Sequence, residues 1–196
     1  MRTTTTTQAG ERRSRARVLR RHGVRAVTAG AALAASLLAV AGPAHAATGV
    51  SVSGGVLEVH AGAAADDIAV FVDTDGSLLV RNAGDTVTAG GPCVLVNANQ
   101  ADCPSAGVTT VAVTTGSGDD LVRNRTTLRS RVTLGPGADG FVGGLARDAV
   151  SGGDGDDRIS GLGGDDLLLG DAGTDTATGG DGTDRCDAEF ETTCES

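Results

Sequence analysis

The sequence predicts an all-β chain of short stacked coils, and three observations predict it. Residues 134–187 fall into six consecutive blocks of nine residues with no insertion between them. An aspartate stands at the sixth place of every block: Asp139, Asp148, Asp157, Asp166, Asp175 and Asp184. The eighth place is always apolar or small: Phe141, Val150, Ile159, Leu168, Ala177 and Cys186. Glycine holds the first place in five blocks, with Leu134 as the exception, and the fourth place in five, with Ala146 as the exception.

A period this strict is the mark of a repeat architecture. The first six places are rich in Gly and Asp, which favour turns and left-handed backbone angles. The last three places suit a short strand whose middle side chain points inward. One such strand cannot bury its face alone, but stacked blocks can. Two blocks therefore make one coil, with a turn on each side.

The same pattern suggests a ligand. A tightly curved Gly-rich loop points carbonyl oxygens into the space between stacked loops, and the sixth-place Asp adds a carboxylate. Oxygen donors at flexible spacing suit Ca²⁺, which takes six to eight of them; Mg²⁺ demands a smaller, near-ideal octahedron. Zn²⁺ would want His or Cys, and the blocks offer almost none. Blocks two apart lie on the same side and should share ions, so six blocks allow at most four full sites.

GGDGDDRIS at 152–160 matches the pattern G-G-x-G-x-D-x-(apolar)-x at every place, and GGDGTDRCD at 179–187 matches with Cys186 at the apolar place. This tract resembles the RTX, or haemolysin-type, calcium-binding repeats. The resemblance implies a right-handed parallel β-roll with Ca²⁺ bound in its turns. The candidate ligands are the six aspartates above together with Asp120, and the turn glycines Gly135, Gly137, Gly153, Gly155, Gly164, Gly173 and Gly182. Leu162 and Asp171 depart from the pattern at the second place and Ala146 at the fourth, which puts individual ions in question. The whole layout also resembles small exported calcium-binding proteins of actinobacterial type.

In chain order, residues 1–46 read as an export signal. Eight arginines against Glu11 precede an apolar run near 26–41, and Ala44-His45-Ala46 supplies the small residues of a cleavage site. The run is short for a membrane span, which needs ~20 apolar residues. Arg20-Arg21 leaves both general and twin-arginine export open. Cleavage would remove a charge of +7 and take the net charge from −9 to −16. So acidic a chain argues against nucleic acid and against membrane insertion or attachment, and for a cation partner. A secreted or envelope-associated location follows.

Residues 47–114 read as a β-rich lead-in. IAVFV at 68–72 and SLLVR at 77–81 flank Asp73-Thr74-Asp75-Gly76, a hairpin signal. Ala61–Ala69 is a degenerate block, with Asp66 at the sixth place and no fourth-place Gly. Residues 115–187 form the roll. TGSGDDLVR at 115–123 is a further block, but Asp120 stands 19 residues before Asp139, one more than two blocks. Residues 124–133 should therefore be an irregular coil with a bulge. Asn124-Arg125-Thr126 fits the glycosylation sequon and is read as chance. Four cysteines in an exported chain read as two disulfides; local pairs 93–103 and 186–194 are favoured among three connectivities, the second closing a cap at 188–196.

Against an enzyme, the chain has no HExxH, no GxSxG elbow, and only His60 after residue 46. It has no Trp or Tyr and three Phe, hence no aromatic platform for sugars or bases. A non-enzymatic calcium-binding protein is the expectation, with an envelope structural role or a hydrolase as alternatives.

Overall fold

Alternation of the apolar places gives each strand one face for burial, and the chain meets that demand by coiling. The computed structural model describes residues 47–195; the expected export signal lies outside them. Strands β1 (Thr48–Ser53) and β2 (Val56–His60) form an antiparallel hairpin. Strands β3 (Asp67–Val72) and β4 (Leu78–Asn82) form a second. Its turn is fixed as the sequence suggests, with Asp73 Oδ1 and Asp75 Oδ1 accepting from the amides of Thr74 and Ser77. Strands β5 (Val87–Ala89), β6 (Val94–Asn97) and β7 (Gln100–Cys103) complete this end.

From there the chain winds regularly. Strands β8 (Thr110–Thr114), β10 (Arg129–Thr133), β12 (Asp148–Asp154), β14 (Leu167–Ala172) and β16 (Arg185–Asp187) lie on one side. Strands β9 (Leu121–Arg125), β11 (Gly140–Val142), β13 (Arg158–Gly163), β15 (Thr176–Asp181) and β17 (Phe190–Thr192) lie on the other. All these neighbours are parallel, giving five stacked coils between an eight-stranded sheet, β16-β14-β12-β10-β8-β2-β1-β5, and a nine-stranded sheet, β17-β15-β13-β11-β9-β3-β4-β7-β6. The protein is a parallel β-roll, as expected. The parallel ladder reaches back beyond residue 115, because β2 pairs with β8 and β3 with β9.

Register follows the nine-residue period. Val132, Val150, Leu168 and Cys186 stand in line across one sheet. Val122, Phe141, Ile159 and Ala177 do so across the other. Apart from Cys186, these side chains are all under 5% exposed. Burying each aliphatic one contributes roughly 1.5–3 kcal/mol, and no single strand could gain that alone.

The extra residue before Asp139 is absorbed in a turn rather than in a strand bulge. Asn124 Oδ1 accepts from Thr126 N and Oγ1, Asn124 Nδ2 donates to Leu128 O, and Leu128 N donates to Thr126 Oγ1. Asn124 is 2% exposed, so the sequon is occupied structurally. Disulfides join Cys93 to Cys103 and Cys186 to Cys194, the two local pairs.

Candidate metal sites

The sixth-place aspartates do two jobs with their two oxygens. Each turns inward and is at most 3% exposed. On one side of the roll the backbone N–H of each donates to Oδ1 of the next coil: Asp66 to Asp120 (2.7 Å), Asp120 to Asp139 (2.7 Å), Asp139 to Asp157 (2.8 Å) and Asp157 to Asp175 (2.9 Å). On the other side Ser130 donates to Asp148 (3.0 Å), Asp148 to Asp166 (2.8 Å) and Asp166 to Asp184 (2.9 Å). Two continuous carboxylate columns result. Residues two blocks apart are brought together, as the block count predicts, and Asp120 joins Asp139 despite its 19-residue spacing.

The second oxygen has a different fate. Oδ2 of Asp120, Asp139, Asp157, Asp166, Asp175 and Asp184 is buried and accepts no hydrogen bond. A buried acceptor left without a donor costs about 1–3 kcal/mol, and more if charged. Asp148 is different: its Oδ2 accepts from Gly144 N at 3.1 Å, and its Oδ1 also takes the Ser130 hydroxyl at 2.7 Å. This is the block with Ala146 at the fourth place. It stacks on the Asn124–Leu128 turn, where Ser130 replaces the aspartate, so its carboxylate is satisfied by the protein itself.

Backbone oxygens come close on the same intervals. A Cβ on Gly137, Gly155, Gly173 or Gly182 would collide with the carbonyl oxygen of the fourth-place glycine one coil earlier. A Cβ on Gly135 or Gly153 would meet the carbonyl of the second-place residue one coil earlier. The glycines therefore let carbonyls of one coil press onto the next. Among the described residues no three acidic, His or Cys side chains converge as a metal-binding group. An ion here must draw on these backbone oxygens, which suits Ca²⁺ better than a metal needing a side-chain cage.

Burial sets the electrostatics. Desolvation raises Asp120, Asp157 and Asp166 to a pKa of about 6, against lowering by the amide bonds they accept. Neighbouring carboxylates push the same way. Burial also raises Asp139 and Asp148. The columns are thus short of positive charge.

The columns are closed by residues that the repeat pattern does not point to. Asn82 Nδ2 donates to Asp66 Oδ1 at 2.5 Å, doing the work of a preceding coil's amide. Glu189 and Glu195 stand at the other end. Their spacing is out of phase with the blocks, so no periodic signal marks them.

The family model for the RTX calcium-binding nonapeptide repeat (four copies) matches residues 133–168, 142–177 and 161–190. Residues 133–190 are RTX calcium-binding repeats. No curated protein and no solved structure matches the chain. RTX nonapeptide repeats bind Ca²⁺, and the buried, partnerless Oδ2 atoms with their pressing carbonyls fit that ion. The RTX tract covers β11 to β16 in full; the Asp66 and Asp120 turns precede it while sharing its carboxylate column.

Proposed function

We propose that this chain is an exported, non-enzymatic calcium-binding protein whose roll completes its folding as the ions bind. The observation that carries the reading is the double column of buried aspartates, six of which (Asp120, Asp139, Asp157, Asp166, Asp175 and Asp184) spend Oδ1 on an amide of the preceding coil and keep Oδ2 for an ion. Asp120, Asp139, Asp157, Asp166, Asp175 and Asp184 supply carboxylates; Gly135, Gly137, Gly153, Gly155, Gly164, Gly173 and Gly182 shape the turns whose carbonyls complete the shell. Asp148 serves as a pin for its own turn. The bound ion supplies positive charge where the folded chain has buried carboxylates.

Export is supported by the basic and apolar leader and by two disulfides, which persist in oxidising compartments. A non-enzymatic role is supported by the repeat's own use of every clustered carboxylate and by the exposure of His60 at the end of β2. Coupling to folding is supported by the charge: residues 134–187 hold twelve carboxylates and three arginines. A ligand that binds only the folded state stabilises it by mass action.

Equilibrium dialysis with radioactive Ca²⁺ tests the assignment. Asp157→Asn and Asp166→Asn should each lower the number of bound ions, while Asp148→Asn should leave it unchanged. Equal binding by all three variants would remove the columns from the reading. A second reading, an envelope structural protein, is favoured by β6, where Val94, Leu95 and Val96 are each more than half exposed along a sheet edge. It predicts that Leu95→Arg abolishes retention on cell-wall fractions without altering Ca²⁺ uptake.

A further inference from the structure

The tail after Asp187 leaves the nine-residue phase. Counted on from Gly179, its sixth place would be Thr193, and no aspartate follows Asp187. Both carboxylate columns nevertheless continue into it. Asp175 N donates to Glu189 Oε2 at 2.8 Å, and Asp184 N donates to Glu195 Oε2. These take the place of the bonds that inner coils make to Oδ1 of an aspartate 18 residues on. Here the separations are 14 and 11 residues.

The backbone agrees with the side chains. Phe190 N donates to Asp175 O at 3.0 Å, just as Arg158 N donates to Asp139 O and Thr176 N to Asp157 O. Glu189 therefore occupies the register of a sixth-place aspartate. Glu195 N bonds Asp184 O at 2.7 Å, so Glu195 sits one place further on. Its extra methylene lets the carboxylate reach back to the amide of Asp184. The tail also lies over the final turn, with Gly180 N donating to Thr193 Oγ1 at 2.8 Å. Below it, Asp175 and Asp184 are each 1% exposed and each keeps an Oδ2 without a partner.

Each column thus ends on the same parts that make its inner intervals: a buried aspartate with a spare oxygen, and a carboxylate from the next layer accepting its amide. We propose that Glu189 and Glu195 are calcium ligands, closing one terminal site with Asp175 and a second with Asp184, and that the Cys186–Cys194 bond holds the tail where it can do so. The inference rests on the calcium reading above and adds two ions to it. Cys194 adjoins Glu195, and Cys186 lies on β16 between the last turn and the tail. The tail itself buries little: Phe190 is 60% exposed and β17 is exposed throughout. Apolar packing contributes little to so short a segment, so it is held by its pairing with β15, by the hydrogen bonds above and by the covalent link. Closing such a loop stabilises the folded tail by restricting the unfolded chain.

The test counts ions on the full chain. Equilibrium dialysis against Ca²⁺ should give the E189Q/E195Q double variant two fewer ions than the parent. Glutamine keeps an acceptor for the Asp175 and Asp184 amides, so far-UV circular dichroism in Ca²⁺ should stay that of the parent. The C186S/C194S variant should lose the same two ions with both glutamates intact. Full binding by E189Q/E195Q at parental affinity overturns the proposal and makes the glutamates structural caps. If the double variant loses its β signal, the single variants decide: E189Q and E195Q each one ion short support it, and each fully loaded overturn it. A parent chain that binds no Ca²⁺ at all is a separate result, which removes the calcium reading itself.

Discussion

The first-place glycines exist because of the aspartates five residues later. A Cβ on Gly152, Gly161, Gly170 or Gly179 would collide with Oδ2 of the aspartate in its own block. Gly161→Ala should therefore displace the Asp166 carboxylate, costing Ca²⁺ binding on that side as well as stability, which the dialysis assay reads. The second place carries the opposite lesson. Leu162 and Asp171 adopt positive φ, 70° and 68°, where Gly135, Gly153 and Gly180 stand at 106–115°. A left-handed leucine costs roughly 1–2 kcal/mol, and Leu162 is 49% exposed with little packing to lose. Leu162→Gly should thus stabilise the roll by about 1 kcal/mol and raise its thermal midpoint. A lower midpoint would show that Leu162 packs more than its exposure implies.

Each turn is an element with a charge problem, and its pH dependence has a definite sign. Asp120, Asp157 and Asp166 have folded-state pKa values of about 6, above the usual carboxylate value, because burial disfavours the charge. A raised carboxylate stabilises the calcium-free fold below its unfolded pKa near ~3.9, and that contribution disappears as pH rises through about 6. In EDTA the thermal midpoint should therefore fall between pH 4.5 and pH 7.5. With Ca²⁺ the trend should reverse, since protons compete for the same oxygens. A midpoint independent of pH in EDTA would contradict the buried-carboxylate account. The elements also show where the sequence is readable. The sixth and eighth places announce strand, turn and column directly, because one period governs them all. Asn82, Ser130, Glu189 and Glu195 do not announce themselves. They act where the period stops, and an acceptor or donor at a column's end is chosen by three-dimensional reach, not by spacing. The bulge expected near residue 124 fails for a similar reason. An Asn/Thr side-chain network can replace a Gly/Asp turn without leaving a periodic trace.

At the scale of the molecule, the roll has one apolar ladder along each inner sheet and one carboxylate column along each row of turns. The ladders favour coiling whatever the ion content, and the columns oppose it until their charge is met. The hairpins of β1–β2 and β3–β4 cap one end with antiparallel strands, and a disulfide-tied tail caps the other. Both ends were readable as β lead-in and cysteine loop, but not the way they terminate the columns. Extracellular calcium modules commonly work at ~10⁻⁴–10⁻³ M, so on the proposed reading the roll should stay open at much lower calcium and close in that range. The most direct measurement is far-UV circular dichroism of the full chain during a Ca²⁺ titration from EDTA, with Mg²⁺ as control. A cooperative gain of β signal with Ca²⁺ and not with Mg²⁺ is the predicted result. The same β spectrum in EDTA as in saturating Ca²⁺ would contradict the coupling of binding to folding, leaving a roll held by its apolar ladders and disulfides alone.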